Sequence, residues 1–140
     1  MSRTTHKILI ANRGEIAIRI MEACRTLGHE FVCVYTREDS DSGHVALARR
    51  WGGDKAAYRI HNYIDAGDIL AVCDEAECTA VHPGYGFFSE NFRFARRVTE
   101  RTRSMLFIGP SWWVIRDLGD KINTKRLARG LGVPTIPGSD

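Results

Sequence analysis

The feature that most constrains the fold is an alternation between short apolar runs and segments with helical periodicity. Residues 7–11 (Lys-Ile-Leu-Ile-Ala) are typical of a buried parallel strand. Residues 15–27 follow with helical spacing and stop at Gly28, and residues 31–35 are a second apolar run. Strand, helix and strand in this order predict a right-handed crossover between two parallel strands. The apolar face of the helix consists of Ile16, Ile20, Cys24 and Leu27, with Ala17 and Ala23 beside it.

The alternation continues along the chain, interrupted by glycine and proline. Further strands are predicted at residues 56–60, 80–81 and 105–108, and further helices at residues 44–51, 63–77, 89–102, 111–118 and 121–129. Strands that alternate with helices indicate a parallel sheet covered on both faces. The predicted fold class is therefore α/β, a three-layer, Rossmann-like parallel sheet of about five strands with helices on both faces.

The stretch 79–92 contains the most unusual loop of the chain. A short apolar run leads into Pro83, and Gly84 and Gly86 permit backbone conformations with positive φ. Ser89 is predicted to cap the next helix. Glycine and proline alone would explain a tight turn, but in an open α/β sheet the loop after a strand is also where ligands bind. Spacing alone does not decide between a structural turn and a ligand-binding loop. It also does not decide whether His82 is an ordinary loop residue or a functional one.

Composition places the chain among ordinary globular proteins. It has 140 residues, 44% apolar and 26% charged, with a formal net charge of +3. This length suits one domain, and the weak charge gives no indication of a nucleic-acid partner. No apolar run approaches the ~20 residues of a membrane span, and the first residues are polar, so we expect a cytoplasmic protein. The four cysteines include no Cys-x-x-Cys pair, and neither a zinc site nor a disulfide is expected.

Several common site motifs are absent from the sequence. The turn after the first strand, residues 11–17, has one glycine where a dinucleotide-binding fingerprint needs three. The acidic residue expected after the second strand is also missing. There is no phosphate-binding P-loop, no Gly-x-Ser-x-Gly elbow and no His-x-x-x-His pair. Dinucleotide binding, P-loop chemistry and a helical zinc site are therefore disfavoured, and no metal ligands are assigned.

Lys121 is a candidate anion-binding residue. It directly follows Asp120, the predicted cap of the last helix, so a cation stands where the helix dipole disfavours one. An anion bound near the ammonium and the free helix amides would remove this conflict. The alternative is an exposed lysine that points away from the helix end, and the sequence alone leaves it open.

A dense arginine run occupies residues 93–103. Its members spread around more than one helical face, and no aromatic residues are interleaved with them for base stacking. A solvated helix surface is the favoured interpretation, and nucleic-acid binding is not expected. Trp112 and Trp113 are adjacent, so one is predicted to lie in the core and the other to contact something outside.

Four ordered motifs and a junction carry a resemblance to a known family. Residues 7–19 resemble the opening of biotin-dependent carboxylases, and His82-Pro-Gly-Tyr-Gly-Phe-Phe-Ser-Glu-Asn91 is similar to their second signature. Residues 107–110 (Phe-Ile-Gly-Pro) and 119–121 (Gly-Asp-Lys) resemble the third and fourth, and residues 133–138 the junction to the next domain. The chain is identified as resembling the biotin carboxylase N-terminal, pre-ATP-grasp domain of acetyl-CoA, propionyl-CoA or pyruvate carboxylases.

The resemblance implies an activity and a set of partners. The family uses ATP, with Mg²⁺, to activate bicarbonate and carboxylate biotin on a carrier protein or domain. Lys121 matches the lysine that contacts nucleotide phosphate. The loop with His82, Gly84, Tyr85, Gly86 and Glu90 matches the segment beside the biotin and bicarbonate side of the site, where Glu90 caps or braces the loop. Arg19 matches a charged position in the homodimer contact of bacterial members, but Glu22 and Thr26 depart from the usual partners.

The resemblance also sets the domain boundaries. Residues 1–133 are expected to be the biotin carboxylase N-terminal domain and residues 134–140 the start of a linker to an ATP-grasp domain. Since the family's lid, metal-binding glutamates and bicarbonate-binding arginine lie in later segments, this chain alone is expected to be inactive. The alternative is a stand-alone Rossmann-like binding or regulatory domain without catalysis.

Overall fold

A computed structural model describes residues 4–101 and 105–136. Within these ranges the strands are β1 (Lys7–Ile10), β2 (Glu30–Tyr35), β3 (Ala57–Arg59), β4 (Ala80–His82) and β5 (Leu106–Phe107). The α-helices of the same ranges are α1 (Gly14–Leu27), α2 (Gly43–Gly52), α3 (Ala66–Glu75), α4 (Phe92–Arg101), α5 (Trp112–Leu118) and α6 (Lys121–Gly130). Short 3₁₀ turns are formed by Arg37–Asp39 and Asp54–Ala56.

The strands form one parallel sheet in the order β3-β2-β1-β4-β5. β1 is central, and its Leu9 lies opposite Val32 on one side and Val81 on the other. The chain moves outward from β1 to β3 and then returns to place β4 on the opposite side of β1. The sheet therefore has its topological switch point between the carboxyl ends of β1 and β4, where ligands bind in open α/β sheets.

The two faces of the sheet carry separate cores. Leu9 points into a cluster with Ile69 of α3 and Phe94 of α4, whereas Ile8 and Ile10 point into a cluster formed mainly with α1 and α2. Alternation along a strand sends neighbouring side chains to opposite faces. Because both faces are covered, every residue of the run 8–11 is buried, which confirms the predicted fold class.

Three predicted helices differ from the structure in detail. α1 ends at Gly28 in the left-handed conformation, as predicted. Its buried face differs from the prediction, because Leu27 is exposed and Met21, which was not assigned to that face, is buried. Leu27 stands in the last turn, where it lines a groove beside the sheet and does not reach the core. α3 starts at Ala66, three residues later than predicted, because the Asp65 carboxylate accepts hydrogen bonds from the Gly67 and Asp68 amides.

The start of α4 was also predicted wrongly. Ser89 does not cap it, because the helix begins three residues later; Ser89 lies in a turn that continues the loop, and its amide donates to the Gly86 carbonyl. The Asn91 side chain instead accepts from the Phe94 amide at 3.0 Å, and the helix begins at Phe92. The cap by Asp120 is confirmed, because its carboxylate accepts from the Asn123 amide at 2.9 Å.

The arginines of α4 lie on an exposed surface, as predicted. Arg96 pairs with Glu100, and Arg101 pairs with Asp74 of α3. Arg103 lies outside the described residues. The prediction for the tryptophans is wrong in part, because neither lies in the core: Trp112 is half-buried and Trp113 is exposed. Among the helices of the described ranges, none has the length and hydrophobicity that crossing a membrane requires.

Candidate functional site

The candidate site lies at the switch point, where the loops after β1 and β4 meet. Asn12 stands two residues after the end of β1 and is buried, with 2% of its surface exposed. Its side-chain amide donates to the Pro83 carbonyl and to the Tyr85 carbonyl, both at 2.7 Å. Its side-chain oxygen accepts from the Arg13 amide at 2.9 Å. A single buried side chain therefore fixes the course of the β4 loop against the β1 loop.

Gly84 is required at this point by both space and conformation. Its φ is +66°, in the left-handed region, and a Cβ atom there would lie 2.6 Å from the Asn12 amide nitrogen. Gly86 has a similar φ of +64° but open space around it. Phe87 also has positive φ, at 44°, and its ring packs on Tyr63 with 5.6 Å between centroids. The loop thus holds a shape that ordinary residues adopt only at a cost.

The predicted loop residues occupy different environments. His82 is half-buried, and its Nδ1 accepts from the Gly84 amide at 3.0 Å. Burial lowers the pKa of His82, so its imidazole is neutral near pH 7. Tyr85 is 60% exposed, and its hydroxyl donates to Glu15 of α1 at 2.7 Å, which raises the pKa of Tyr85. Glu90 is exposed and has no hydrogen bond or ion pair with another residue that the structure describes.

A polar network stabilises the β1 loop from the other side. The Arg13 guanidinium donates to both oxygens of Asp39, each at 2.5 Å, and the Tyr63 hydroxyl donates to Asp39 at 2.7 Å. Asp39 is 8% exposed, and these donors hold its pKa at about 2, with the hydrogen bond from Arg13 as the largest cause. The same contact raises the pKa of Arg13. Desolvation, together with the hydrogen bond to Asp39, raises the pKa of Tyr63.

His44 links this network to the sheet. It is buried at the start of α2, where its Nε2 lies 3.2 Å from the Val34 carbonyl and its Nδ1 lies 2.7 Å from the Ser42 hydroxyl. Burial lowers the pKa of His44, so the neutral ring is favoured. Sequence reasoning missed Asp39, Tyr63 and His44, and it treated Asn12 only as a turn residue. A polar residue directly after a buried apolar run, as Asn12 is, was the available signal.

Arg19 and Lys121 belong to other parts of the surface. Arg19 is exposed on α1 and lines a groove of about 570 Å³ that also borders His82. The groove lies between α1 and the β4–β5 half of the sheet and is mostly apolar, with Ile16, Leu106 and Ile108 among its walls. Lys121 is exposed in the first turn of α6, which packs against α5. Within the described residues, no hydrogen bond or ion pair joins Lys121 to the β4 loop.

Comparison with known proteins identifies the family. The model of the biotin carboxylase N-terminal domain family matches residues 4–115, which is most of the chain. The chain belongs to this family. Biotin carboxylase of Allochromatium vinosum is 43% identical over 140 residues, which are the whole of this chain and 31% of that protein. Pyruvate carboxylase of Bacillus subtilis is 42% identical over 144 residues, covering 99% of this chain and 12% of that protein.

A solved structure extends the match to three dimensions. The biotin carboxylase domain of Hydrogenobacter thermophilus 2-oxoglutarate carboxylase superposes with a TM-score of 0.87 at 42% identity, over 99% of this chain and 30% of that one. That structure is a dimer in complex with MgADP, ADP and bicarbonate. The predicted fold and family are confirmed. This biotin carboxylase N-terminal domain spans about a third of the length of the biotin carboxylase it matches, and Lys121 lies beyond the residues that the family model covers.

Proposed function

We propose that the chain forms, in the cytoplasm, the N-terminal part of a biotin carboxylase, which uses ATP and bicarbonate to carboxylate biotin on a carrier protein. The observation that carries this proposal is the glycine loop at the switch point, held by Asn12, in a chain 43% identical along its whole length to a biotin carboxylase. Ligands in folds of this topology bind at that edge of the sheet.

The proposal assigns the chain a domain role. Residues 1–133 form the N-terminal domain and residues 134–140 begin a connection to an ATP-grasp domain. Phosphoryl transfer from ATP requires charges and metal ions that stabilise the transition state. The described residues contain no group of three or more His, Cys, Asp or Glu side chains that could hold a metal ion, so the proposal assigns the Mg²⁺ ligands to none of them. We expect the isolated chain to be inactive.

Lys121 is proposed to bind a phosphate of the nucleotide. Its ammonium is exposed and forms no ion pair with another described residue, so it is free to meet an anion. It stands in the first turn of α6, a ten-residue helix, where amides without intrahelical partners add to the attraction for negative charge. These features fit a phosphate group. The residue would orient the nucleotide and offset its charge during transfer.

The loop formed by His82, Gly84, Tyr85, Gly86 and Glu90 is proposed to form the side of the site facing biotin and bicarbonate. Tyr85 and Phe87 expose aromatic surface on a loop whose backbone is fixed by Asn12. Such a surface fits an apolar ring system better than a strongly charged ligand. The hydrogen bond between Tyr85 and Glu15 orients the phenol ring, so the aromatic surface is already in place before a ligand arrives.

Arg19 is proposed to contribute to a homodimer contact. The relative from Hydrogenobacter thermophilus was solved as a dimer, and Arg19 is exposed on α1. The other proposed partners are the rest of the biotin carboxylase and the biotin carboxyl carrier protein or domain.

A chimera tests the proposed function directly. The 140 residues would replace the matching 31% of Allochromatium vinosum biotin carboxylase, and ATP hydrolysis would be measured with and without bicarbonate and free biotin. We expect bicarbonate-dependent ATP hydrolysis that biotin stimulates. A folded, dimeric or monomeric chimera without this activity would contradict the proposal and favour a binding or regulatory domain.

Substitution of Lys121 in the active chimera tests its role. Lys121→Gln should raise the KM for ATP about tenfold, which corresponds to ~1.4 kcal/mol, because a charge-assisted contact is lost. Lys125→Gln, one helical turn further along α6, is the matched control and should leave this KM within about twofold. If both substitutions changed the KM for ATP equally, or if neither changed it, the assignment of Lys121 to the nucleotide site would be contradicted.

A further inference from the structure

The turn that joins α3 to β4 brings two cysteines together. The Cys78 amide donates to the Cys73 carbonyl at 2.8 Å, and the Glu77 amide donates to the Asp74 carbonyl at 3.1 Å. Glu77 has a positive φ of 54°. These are the two hydrogen bonds and the left-handed residue of a Schellman motif, in which the side chains of the first and last residues contact each other. Here both of those side chains are thiols.

The two thiols lie in the same core cluster and influence each other. Cys73 is 1% exposed and Cys78 is 7% exposed, and both belong to the cluster between α3, α4 and the sheet. A hydrogen bond from the Cys73 thiol lowers the pKa of Cys78 and raises the pKa of Cys73. Desolvation of Cys78 opposes this shift, and the positive charge of Lys7 adds a smaller lowering of its pKa. Cys78 is therefore the more acidic member of the pair.

The other two cysteines have a different environment. Cys24 and Cys33 are buried in the cluster on the opposite face of the sheet. Desolvation is the largest influence on both, and it raises the pKa of Cys24 to about 11 and the pKa of Cys33 to about 12. Thiols of this kind are inert packing groups, because the thiolate is the reactive form. They provide internal controls for the pair at residues 73 and 78.

We propose that Cys73 and Cys78 form a dithiol site that hydrogen peroxide converts to an intramolecular disulfide. A disulfide needs α-carbons within about 4.4–6.8 Å of each other, and a direct main-chain hydrogen bond between the two residues keeps them near that range. All four cysteines are free thiols in the structure, so the oxidised form is a second state of the same turn.

The reaction proceeds in two balanced steps. The Cys78 thiolate attacks one oxygen of the peroxide, so an S–O bond forms, the O–O bond breaks, and the leaving hydroxide becomes water by taking a proton. Cys78 is then a sulfenic acid. The Cys73 sulfur attacks the Cys78 sulfur, the S–S bond forms, the S–O bond breaks, and the hydroxide departs as water with the Cys73 proton. Two thiols and one peroxide thus give one disulfide and two waters.

The site has a structural consequence for β4. The disulfide would join the last turn of α3 covalently to the residue two positions before β4, the strand that carries His82 and the glycine loop. The proposal does not depend on the function proposed above, because it rests on the turn and its two thiols alone.

Mass spectrometry of the 140-residue chain tests the proposal. The folded chain would be treated with hydrogen peroxide, its remaining thiols alkylated, and the protein cleaved at the acidic residues that separate the pair, Asp74, Glu75 and Glu77. We expect the loss of two hydrogen masses, a peptide containing Cys73 linked to one containing Cys78, and two remaining thiols, those of Cys24 and Cys33. Loss of the Cys78 thiol should be at least about tenfold faster than loss of the Cys24 thiol.

Variants separate the two steps. Cys73→Ser, which keeps a hydroxyl donor for the Cys78 sulfur, should let Cys78 accumulate as sulfenic acid, which dimedone traps, whereas Cys24→Ala should form the same disulfide as the unchanged chain. Cys78→Ser serves as a second variant if Cys73→Ser loses its far-UV circular dichroism signal, and it should abolish the rapid loss of thiol that is assigned to Cys78. Oxidation of Cys78 to the sulfinic acid without a cross-link, links to Cys24 or Cys33, or equal rates for all four thiols would overturn the proposal.

Discussion

The two ends of the chain differ in how they bury apolar surface. In residues 4–101, the N-terminal region, each of the helices α1–α4 contributes several side chains to one of the two cores. In residues 105–136, the C-terminal region, α5 buries only Ile115 and α6 buries none of its residues. Exposed apolar side chains of the C-terminal region include Leu118, Ile122, Leu127, Leu131, Val133 and Ile136.

This difference indicates that the N-terminal region stabilises the fold, whereas the C-terminal region offers surface for assembly with other parts of a protein. The N-terminal region supplies most of both cores, to which Met105, Phe107 and Ile108 of the C-terminal region add, and it contains the polar contacts that shape the glycine loop. The C-terminal region carries Lys121 on α6, a helix that buries none of its residues against the rest of the described chain. Large exposed apolar patches mark interaction sites in folded proteins. This chain covers 31% of the biotin carboxylase it matches, and the exposed apolar side chains agree with the proposal that residues 134–140 begin a connection to a further domain.

The largest expected effect is the loss of a core side chain from the N-terminal region. Phe94 is 1% exposed and stacks on Phe88 with 4.0 Å between ring centroids. Phe94→Ala should lower the free energy of unfolding by about 3–5 kcal/mol, because a cavity replaces the ring. Leu127→Ala, on exposed α6, is the control and should change it by less than about 0.5 kcal/mol. Urea denaturation measures the free energy of unfolding of both variants. Similar losses in the two variants would contradict the proposed difference between the regions.

A smaller effect is expected from a methyl group placed in the glycine loop. Gly84→Ala should destabilise the fold by about 2–4 kcal/mol, since it combines left-handed strain with a clash against Asn12. Gly86→Ala has the same kind of φ and open space, so it should cost only about 1–2 kcal/mol. The difference between the two variants measures how tightly Asn12 holds the loop, and equal unfolding free energies would contradict the close fit.

Acid should weaken the network around Asp39. Because its folded-state pKa of about 2 lies below the unfolded value of about 3.9, the interaction contributes stability that is present above pH ~4 and is lost as the pH falls towards 2. We expect a loss of roughly 1–2 kcal/mol, reduced by the solvent exposure of Arg13. Asp39→Asn should remove this part of the pH dependence in urea titrations between pH 2 and 5, whereas Asp41→Asn should not.

His44 and His82 act at higher pH and in the same direction. Burial lowers the folded-state pKa of both, so stability falls as the pH drops below about 6.5, where the unfolded imidazoles take up protons. The two windows can therefore be separated in one titration. A profile that is flat from pH 7 to 5 would contradict the buried, neutral assignment of His44.

The smallest effect is expected at the start of α6. Lys121→Gln should raise the free energy of unfolding of the 140-residue chain slightly, by about 0.3–1 kcal/mol at low salt, because a cation is removed from a helix N-terminus. Lys125→Gln, in the middle of α6, should leave the unfolding free energy within about 0.5 kcal/mol of the unchanged chain. A clear loss of stability in Lys121→Gln would show that the ammonium has a structural partner.

Local periodicity was sufficient to predict most of the secondary structure. The run at residues 7–11, the helix that stops at Gly28 and the cap at Asp120 depend on neighbours a few residues away, and all three are present in the structure. The errors fall where a local signal competes with a longer contact. Ser89 is a good helix cap in isolation, but it lies in a turn with Gly86, and Asn91 accepts the hydrogen bond at the start of the helix. Tyr63 was placed in a helix, although its hydroxyl bonds to Asp39 outside that helix.

The family resemblance predicted the loop at residues 82–90 as a site, but not how that loop is held. The clamp by Asn12 on the Pro83 and Tyr85 carbonyls joins residues more than seventy positions apart. The Arg13–Asp39 and Tyr63–Asp39 pairs are separated by 26 and 24 positions. Neither the residue types nor their spacing within a short window of sequence predicts which distant residues will form these hydrogen-bonded pairs.

The sequence by itself determined the parallel α/β architecture, the order of its elements and the family, because these follow from patterns within a few helical turns and from ordered motifs. Only the tertiary structure decided that β1 lies between β2 and β4, that Asn12 fixes the glycine loop, and that Cys73 meets Cys78 across a helix end. The reason is physical. Hydrophobic periodicity is encoded locally, whereas the partner of a buried polar group such as Asn12 is selected by the folded backbone, which brings distant segments within hydrogen-bonding distance.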